Sequence, residues 1–508
     1  MTTFQDLKNY FESQKIRTIM AADAETIVLK REDGKVVTQL PSGGVSIALD
    51  PIAKASSATY IGRAKTAEER DFSKTTVEDE KGKYTLKRLF FEPKDFDGYY
   101  NGFSNQTLWP LCHVAFEAPI FDNNWYQSFV RVNQKYAQAI KDEVRGRTFV
   151  WVNDYQLCLV PKFLGRQKDT TIGLFWHIPW PTWEAFRILP QKKEILESLL
   201  TCNFIGFHRG YHVRNFLETV AREFEVRIDE ETDQIYFRGH TTTVKNLPLG
   251  IDTDVVGALV KDEQHKKEEG GFVKIISKLF SPEVKKEQPE TPENKQYDEI
   301  FNKYQVMLGV DRLDYTKGLM LRMEAIDKFF ETNKKYIGKV VYLGVLAPSR
   351  DTIPSYRKLK GDLENYVEII NQKYARNGWQ PVHLLYNLFT RKDIINFYMK
   401  AELCLVTPRD DGMNLVSKEF VAAAALSQKP GMIVLSQFAG SAIDLTSALI
   451  VNPYNINELV NAIKTGLEMN QTEKTRRIKE MAKILEERNV YEWALEFAQE
   501  SLRVNKPK

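Results

Sequence analysis

The stretch from Ala401 to Glu419 constrains the fold more than any other part of the chain. Leu403 to Thr407 is short, apolar and β-branched, as an inner strand of a parallel sheet must be when both its faces are covered. A polar glycine turn follows, and Phe420-Val-Ala-Ala-Ala-Ala-Leu426 continues as a helix. Strand, tight turn and helix in this order place the chain in the α/β class. The first backbone N–H groups of such a helix lack intrahelical partners, so Gly412, Met413, Asn414, Leu415 and Val416 can donate to phosphate or sugar oxygens. Asp411 is placed to grip a sugar hydroxyl. Glu419, one turn further on, either complements the helix dipole or accepts from a ribose hydroxyl.

With 508 residues, two large domains are expected, each with its own core. Lysine and arginine total 71 against 68 acidic residues, which gives no general electrostatic case for nucleic acid or a membrane surface. Cys112, Cys158, Cys202 and Cys404 are scattered among apolar residues, in the manner of buried free thiols rather than a disulfide frame or a zinc site. The amino terminus lacks the plan of a signal peptide, and no apolar run approaches the ~20 residues of a membrane span, so the expected compartment is the cytoplasm.

Further strand-like runs end in polar residues. Thr148-Phe-Val-Trp-Val leads to Asn153 and Asp154, Thr171-Ile-Gly-Leu-Phe-Trp to His177, and Cys202-Asn-Phe-Ile-Gly-Phe to His208 and Arg209. Ligands of parallel α/β sheets lie beyond the carboxyl ends of the strands, which puts Asp154 and His177 in the right kind of position. In the second half, Gln305-Val-Met-Leu-Gly-Val-Asp runs into Arg312 and Lys317, two cations able to neutralise a diphosphate as it departs. Lys339 to Ala347 is another strand, ending near Arg350.

Nearer the amino terminus, residues 1–16 read as an amphipathic helix, Thr18 to Ala22 as a strand, and Glu25 to Lys30 as a second strand that turns at Glu32-Asp-Gly-Lys35. Gly43 and Gly44 precede a helix and form a second candidate anion cradle. Residues 64–83 read as a charged surface loop. Asp95 to Pro110, with Tyr100 and Trp109, is rich in aromatic and amide groups that either pack a core or stack on sugars. Residues 261–300 are highly charged and interrupted by proline, as a solvated insertion would be.

Taken together, Tyr100-Asn-Gly-Phe-Ser-Asn-Gln-Thr-Leu-Trp109, His177-Ile-Pro-Trp-Pro, Ile205-Gly-Phe-His, Asp311-Arg-Leu-Asp-Tyr-Thr-Lys-Gly318, Asp411-Gly-Met-Asn-Leu-Val416 and Leu435-Ser-Gln-Phe-Ala-Gly440 resemble the trehalose-6-phosphate synthase family of retaining glycosyltransferases, glycosyltransferase family 20. The resemblance runs from about residue 84 onward. It implies a GT-B architecture of two Rossmann-like domains facing a cleft, with the C-terminal helix crossing back to the first. On this reading residues 1–248 and about 485–508 form the acceptor-binding domain, and residues 249–484 the nucleotide-sugar domain containing the insertion.

The resemblance also implies transfer of glucose from a nucleotide sugar, usually UDP-glucose, to glucose 6-phosphate with retention, giving trehalose 6-phosphate. The partners are the donor and a sugar phosphate. No metal or other cofactor is expected, and a homo-oligomer is compatible with the sequence without being required by it. Carried over by position, Arg312 and Lys317 resemble the diphosphate clamps, assisted by Gly44 and the amides of Leu415 and Val416. Asp411 and the turn Gly412 to Asn414 resemble the holders of the donor sugar, His177 the group near its 6-hydroxyl, and Glu419 the ribose contact. Tyr100, Trp109 and Asp154 resemble acceptor-sugar contacts, and Arg350 a cation on the acceptor phosphate.

The departures cluster on the acceptor side. Where the family ends its first strand in Asn-Arg, this chain has Thr18-Ile-Met-Ala-Ala-Asp23, and where a Trp usually follows the next strand's Gly, Tyr60-Ile-Gly-Arg places Arg63. Arg63 is therefore the expected replacement for the missing phosphate cation. Asn153 and Gln156 flank Asp154 where His is usual, and Asp410 precedes Asp411 where the family has Arg. A sister enzyme using another phosphorylated acceptor, of the glycerol phosphate or cyclitol phosphate kind, is the alternative, and a silent sugar-phosphate sensor a third. The chain ends soon after residue 500, so no fused phosphatase is expected.

Overall fold

Apolar, β-branched runs separated by amphipathic helices give two stacks of parallel strands in the computed structural model, which describes residues 1–32, 35–39, 44–66, 68–269, 292–387 and 389–503. The chain divides into two compact units: residues 1–250, 410–413 and 487–508, and residues 251–409 and 414–486.

The strands of the first unit are β1 Arg17–Ala24, β2 Val28–Glu32, β3 Lys35–Gln39, β4 Thr59–Arg63, β5 Lys74–Glu78, β6 Lys83–Leu89, β7 Thr148–Asn153, β8 Thr170–Trp176, β9 Phe204–Phe207, β10 Arg227–Asp229, β11 Gln234–Phe237 and β12 His240–Asn246. Ten of them form one sheet in the order β10-β11-β12-β9-β8-β7-β1-β4-β6-β5, and β2 pairs with β3 apart from it. The inner strands from β12 to β6 are parallel, and the edges β5 and β10–β11 run antiparallel. Chain order reverses between β1 and β7, which is the switch point where α/β sheets bind ligands.

The C-terminal helix Val490–Arg503 covers one face of this sheet. Its Phe497 stacks on Trp151 at 4.4 Å and meets Phe175 and Phe204 edge-on or tilted. Trp493 lies 5.4 Å from Trp151 and 4.9 Å from Phe175. Glycine at 206 makes room for these rings, because a Cβ there would fall 2.6 Å from Phe175.

The second unit has β13 Gln305–Arg312, β14 Val340–Ala347, β15 Val382–Leu385, β16 Leu403–Val406, β17 Met432–Ser436 and β18 Leu449–Val451. All are parallel, in the order β15-β14-β13-β16-β17-β18. This is the Rossmann order 3-2-1-4-5-6. Its switch point lies between β13, which ends at Arg312, and β16, which leads into the turn before Asp411.

Several details differ from the sequence reading. The second strand starts at Val28 rather than Glu25, because Glu25 is drawn into a buried ion-pair cluster. Residues 64–83 are not only loop: alternation at Lys74–Glu78 lets β5 add to the edge of β6. Asp95 to Pro110 is largely a π-helical stretch, Asp97–Leu108, running into the helix Trp109–His113. The flanks of the charged insertion are helical, over Thr253–Glu269 and Pro292–Lys303, while residues 270–291 lie outside the described residues. Gly43 and the turn residues Asp33 and Gly34 also lie outside them.

Candidate active site

The second unit gathers three cations around one carboxylate. β13 ends in Asp311 and Arg312, and the chain then turns through Asp314 into the short helical turn Tyr315–Lys317. Asp314 caps that turn, its Oδ1 accepting from the backbone N–H and the hydroxyl of Thr316, both at 3.0 Å. Its Oδ2 accepts from Arg350 Nη1 at 3.2 Å and faces Arg312 Nη2 at 3.5 Å. Burial alone would raise the Asp314 carboxyl, but Arg312, Arg350 and Lys317 overcome it and hold the group at about 2. Arg350, at φ 50°, also bonds the hydroxyl of Tyr356 at 2.5 Å. Its side chain is 5% exposed, whereas that of Arg312 is 39% exposed.

After β16 the helix Leu415–Ala425 begins with Asn414 as its cap, at φ 72°. Asn414 Oδ1 accepts from the Ser417 N–H at 3.0 Å, and the Ser417 hydroxyl reaches Ser441 at 2.7 Å. Lys418 and Asp444 form a fully buried ion pair at 2.7 Å that fixes the helix against the Gly440–Ile443 turn. The cap uses Ser417, so Leu415 and Val416 are the amides that stand at the open end of the helix. Glu419 is held by Arg391, whose Nη2 donates to Oε1 at 2.9 Å.

In the first unit Asp154 follows β7 at φ 75°, ψ 167°, a conformation costly for any residue but glycine. Its Oδ1 accepts from the backbone N–H of Tyr155 at 2.9 Å and of His177 at 3.1 Å, so two adjacent strand ends share one carboxylate. His177 is 7% exposed. Its Nε2 lies 3.3 Å from Asn153 Oδ1, while Asn153 Nδ2 donates to the Ala21 carbonyl at 3.4 Å. That orientation makes Nε2–H the donor and leaves Nδ1 with a lone pair and no bonding partner among the described residues. Burial, and after it the neighbouring His208, push His177 well below its usual range, so the ring is neutral. Residues 410–413, which include Asp411 and Met413, pack with this unit. A Cβ on Gly412 would come 2.5 Å from the His177 carbonyl oxygen, so only glycine fits there.

Tyr100 projects from the π-helical stretch and stacks on Phe96 at 5.3 Å. Trp109 is buried against His113 at 4.0 Å and Tyr155 at 6.0 Å. Arg63, at the end of β4, lies over the rings of Phe96 at 4.4 Å and Tyr100 at 5.4 Å. It is not a bare cation: Nε and Nη2 donate to Asp23 Oδ1 and Oδ2 at 3.1 and 3.2 Å, and Tyr99 donates to the same carboxylate at 3.1 Å. Gly44 opens the helix Gly44–Ala55 and is exposed.

Sequence reading named the cations and missed what orders them. Asp314 stood inside a quoted motif. Arg391 carries only the weak signal of a charge within a helical pattern, and Asp23 only that of standing where an arginine is expected. Among the described residues no group of three or more His, Cys, Asp or Glu side chains is placed to hold a metal ion, and no helix is long and apolar enough to cross a membrane.

Comparison with known proteins identifies the family. The profile of glycosyltransferase family 20 matches residues 16–270 and 272–503. A UDP-forming α,α-trehalose-phosphate synthase of Candida albicans is 31% identical over 500 residues, 97% of this chain and 98% of its own. A trehalose-6-phosphate synthase of Mycobacterium marinum is 33% identical, covering 92% of this chain and 89% of its own. Among solved structures, an E. coli protein bound with UDP-2-fluoro glucose superposes with a TM-score of 0.81 at 28% identity, over 96% of this chain and 98% of that one. A Burkholderia xenovorans α,α-trehalose-phosphate synthase in complex with glucose-6-phosphate gives 0.80 at 26% identity, over 96% and 100%.

Proposed function

Because the chain belongs to glycosyltransferase family 20 and has the GT-B fold, we propose that it is a UDP-forming trehalose-6-phosphate synthase, transferring glucose from UDP-glucose to glucose 6-phosphate. The observation that carries this reading is the pair Arg312 and Lys317 at the switch point of a Rossmann sheet, beside the open helix end at Leu415 and Val416. The nucleoside diphosphate part of the donor is the part we assign to this second unit. Arg312 and Lys317 bind the diphosphate, and Glu419, oriented by Arg391, accepts from the ribose.

In the reaction the bond from the anomeric carbon to the β-phosphate oxygen breaks, and the acceptor hydroxyl oxygen bonds that carbon from the same face. The hydroxyl proton passes to the departing phosphate oxygen. Charge therefore grows on the diphosphate as the bond breaks, and Arg312 and Lys317 act most strongly at that moment, which lowers the barrier rather than merely tightening binding. Asp411 and the turn Gly412–Asn414 hold the donor sugar. His177, neutral with an open lone pair on Nδ1, accepts a hydroxyl of that sugar. In the first unit Tyr100, Trp109 and Asp154 receive the acceptor sugar, and Arg63 its phosphate.

One observation favours a second reading. Arg63 is neutralised by a two-bond pair with Asp23, so the acceptor end of the site offers less positive charge than a lone arginine would. A glycerol phosphate or cyclitol phosphate acceptor, whose phosphate stands differently relative to the attacking hydroxyl, is the alternative this favours. Mass spectrometry of the product from UDP-glucose and glucose 6-phosphate, with Arg312→Ala as control, separates the two. A disaccharide phosphate absent from the control supports the first reading, and UDP release without it supports the second.

A further inference from the structure

Arg322 stands on the helix Leu319–Thr332, whose buried face also carries Met323, Ile326, Phe329 and Phe330. Its side chain is 1% exposed. A buried cation is tolerated only with a full set of partners, and the identity of those partners shows what the charge organises. Nη1 donates to Asp311 Oδ2 at 2.6 Å and to the Tyr342 hydroxyl at 3.1 Å. Nε donates to Thr407 Oγ1 at 2.9 Å, and Nη2 to the Lys317 carbonyl at 3.3 Å.

These four bonds reach the end of β13, the middle of β14, the residue just past β16 and the turn that bears Lys317. A single planar fork therefore ties together both sides of the switch point. The space for it is kept by Gly309 of β13, where a Cβ would lie 2.2 Å from the Tyr342 hydroxyl and 2.7 Å from Arg322 Nη1. One further bond, Arg409 N–H to the Thr316 carbonyl at 2.7 Å, joins the same two loops.

We infer that Arg322 is a positioning residue for the donor diphosphate: it touches no substrate, but sets the Lys317 turn and the strand end at Arg312 in the register that a diphosphate needs. This rests on the reading of Arg312 and Lys317 as diphosphate ligands. Lysine at 322 would keep a charge opposite Asp311 but lose the fork, so it could hold one loop and not both.

The test is titration calorimetry of the full chain with UDP and, separately, with uridine, on wild type and Arg322→Lys, alongside thermal unfolding. Uridine carries no phosphate and serves as the internal reference. The expected result is uridine affinity within about twofold of wild type, UDP affinity down about tenfold, and turnover of UDP-glucose down as much as a hundredfold. A purely structural role would lower the unfolding temperature and leave the ratio of UDP to uridine affinity unchanged, and that result overturns the inference. If wild type itself binds uridine as tightly as UDP, the diphosphate reading of Arg312 and Lys317 fails, and the inference fails with it. Should Arg322→Lys not fold, Thr407→Val removes one arm of the fork and is held to the same ratio.

Discussion

Asp314 illustrates how one carboxylate decides the behaviour of its neighbours. Arg312, Arg350 and the Lys317 turn all converge on it, and Arg350 has almost no water to replace it. The folded carboxyl at about 2 lies below its ordinary value of 3.8. Its stabilisation is therefore fully present above the ordinary value and lost as pH falls through about 2. Asp314→Asn should cost on the order of 2 kcal/mol at neutral pH, read by chemical denaturation. An unchanged midpoint would mean that the cations are ordered by something else. On the acceptor side, Asp23→Asn should lower the Michaelis constant for glucose 6-phosphate, because Arg63 then keeps its charge for the phosphate, and Arg63→Ala should raise it. If neither variant moves that constant, the acceptor phosphate sits elsewhere. Arg63 is legible in the sequence as a cation at a strand end. Its carboxylate partner is not, since Asp23 and Arg63 are 40 positions apart and only the parallel pairing of β1 with β4 joins them.

At the scale of elements, strands with both faces buried were read correctly because burial on both sides forces an unbroken apolar run, as in β7, β8, β13, β16 and β17. The short β15 and the edge strand β5 escaped, since half-exposed strands carry too little apolar signal to stand out from loop. The junction of β1, β6 and the Glu68–Phe72 turn hides a buried cluster in which Arg88 donates to Glu25 at 2.7 Å and lies 3.8 Å from Glu69. Burial first, then the Glu69 charge, pushes Glu25 up to about 8 against the pull of Arg88. The folded state binds this proton more tightly than the unfolded chain, so stability falls as pH rises from the ordinary carboxyl range through about 8. Between pH ~6 and ~9 the wild type should lose on the order of 2 kcal/mol that Glu25→Gln retains, as measured by urea denaturation at each pH. The C-terminal helix offers a second check at this scale. Phe497→Ala should cost about 3–5 kcal/mol by emptying the site between Trp151, Phe175 and Phe204, and an effect under ~1 kcal/mol would show that the helix is dispensable to the sheet.

For the whole molecule, ligand linkage gives the broadest test. UDP at about a hundred times its dissociation constant should stabilise the chain by ~2.7 kcal/mol, seen as a rise in unfolding temperature, and Arg312→Ala should remove most of that rise. A rise that survives Arg312→Ala would place the nucleotide away from β13. The α/β class, the buried strands of both sheets and the polar residues at their ends were determined by the sequence alone, because burial, turn chemistry and helix starts are local properties written in neighbouring residues. The strand orders, and with them the two switch points, were decided only in three dimensions, since parallel neighbours are joined by crossovers that local pattern does not order. The same holds for the pairs that orient the site, Asp23 with Arg63, Asp314 with Arg350, Arg322 with Thr407 and Asn153 with His177. A charge or hydrogen bond acts through a few ångströms of space, and which residues share that space is a property of the folded chain.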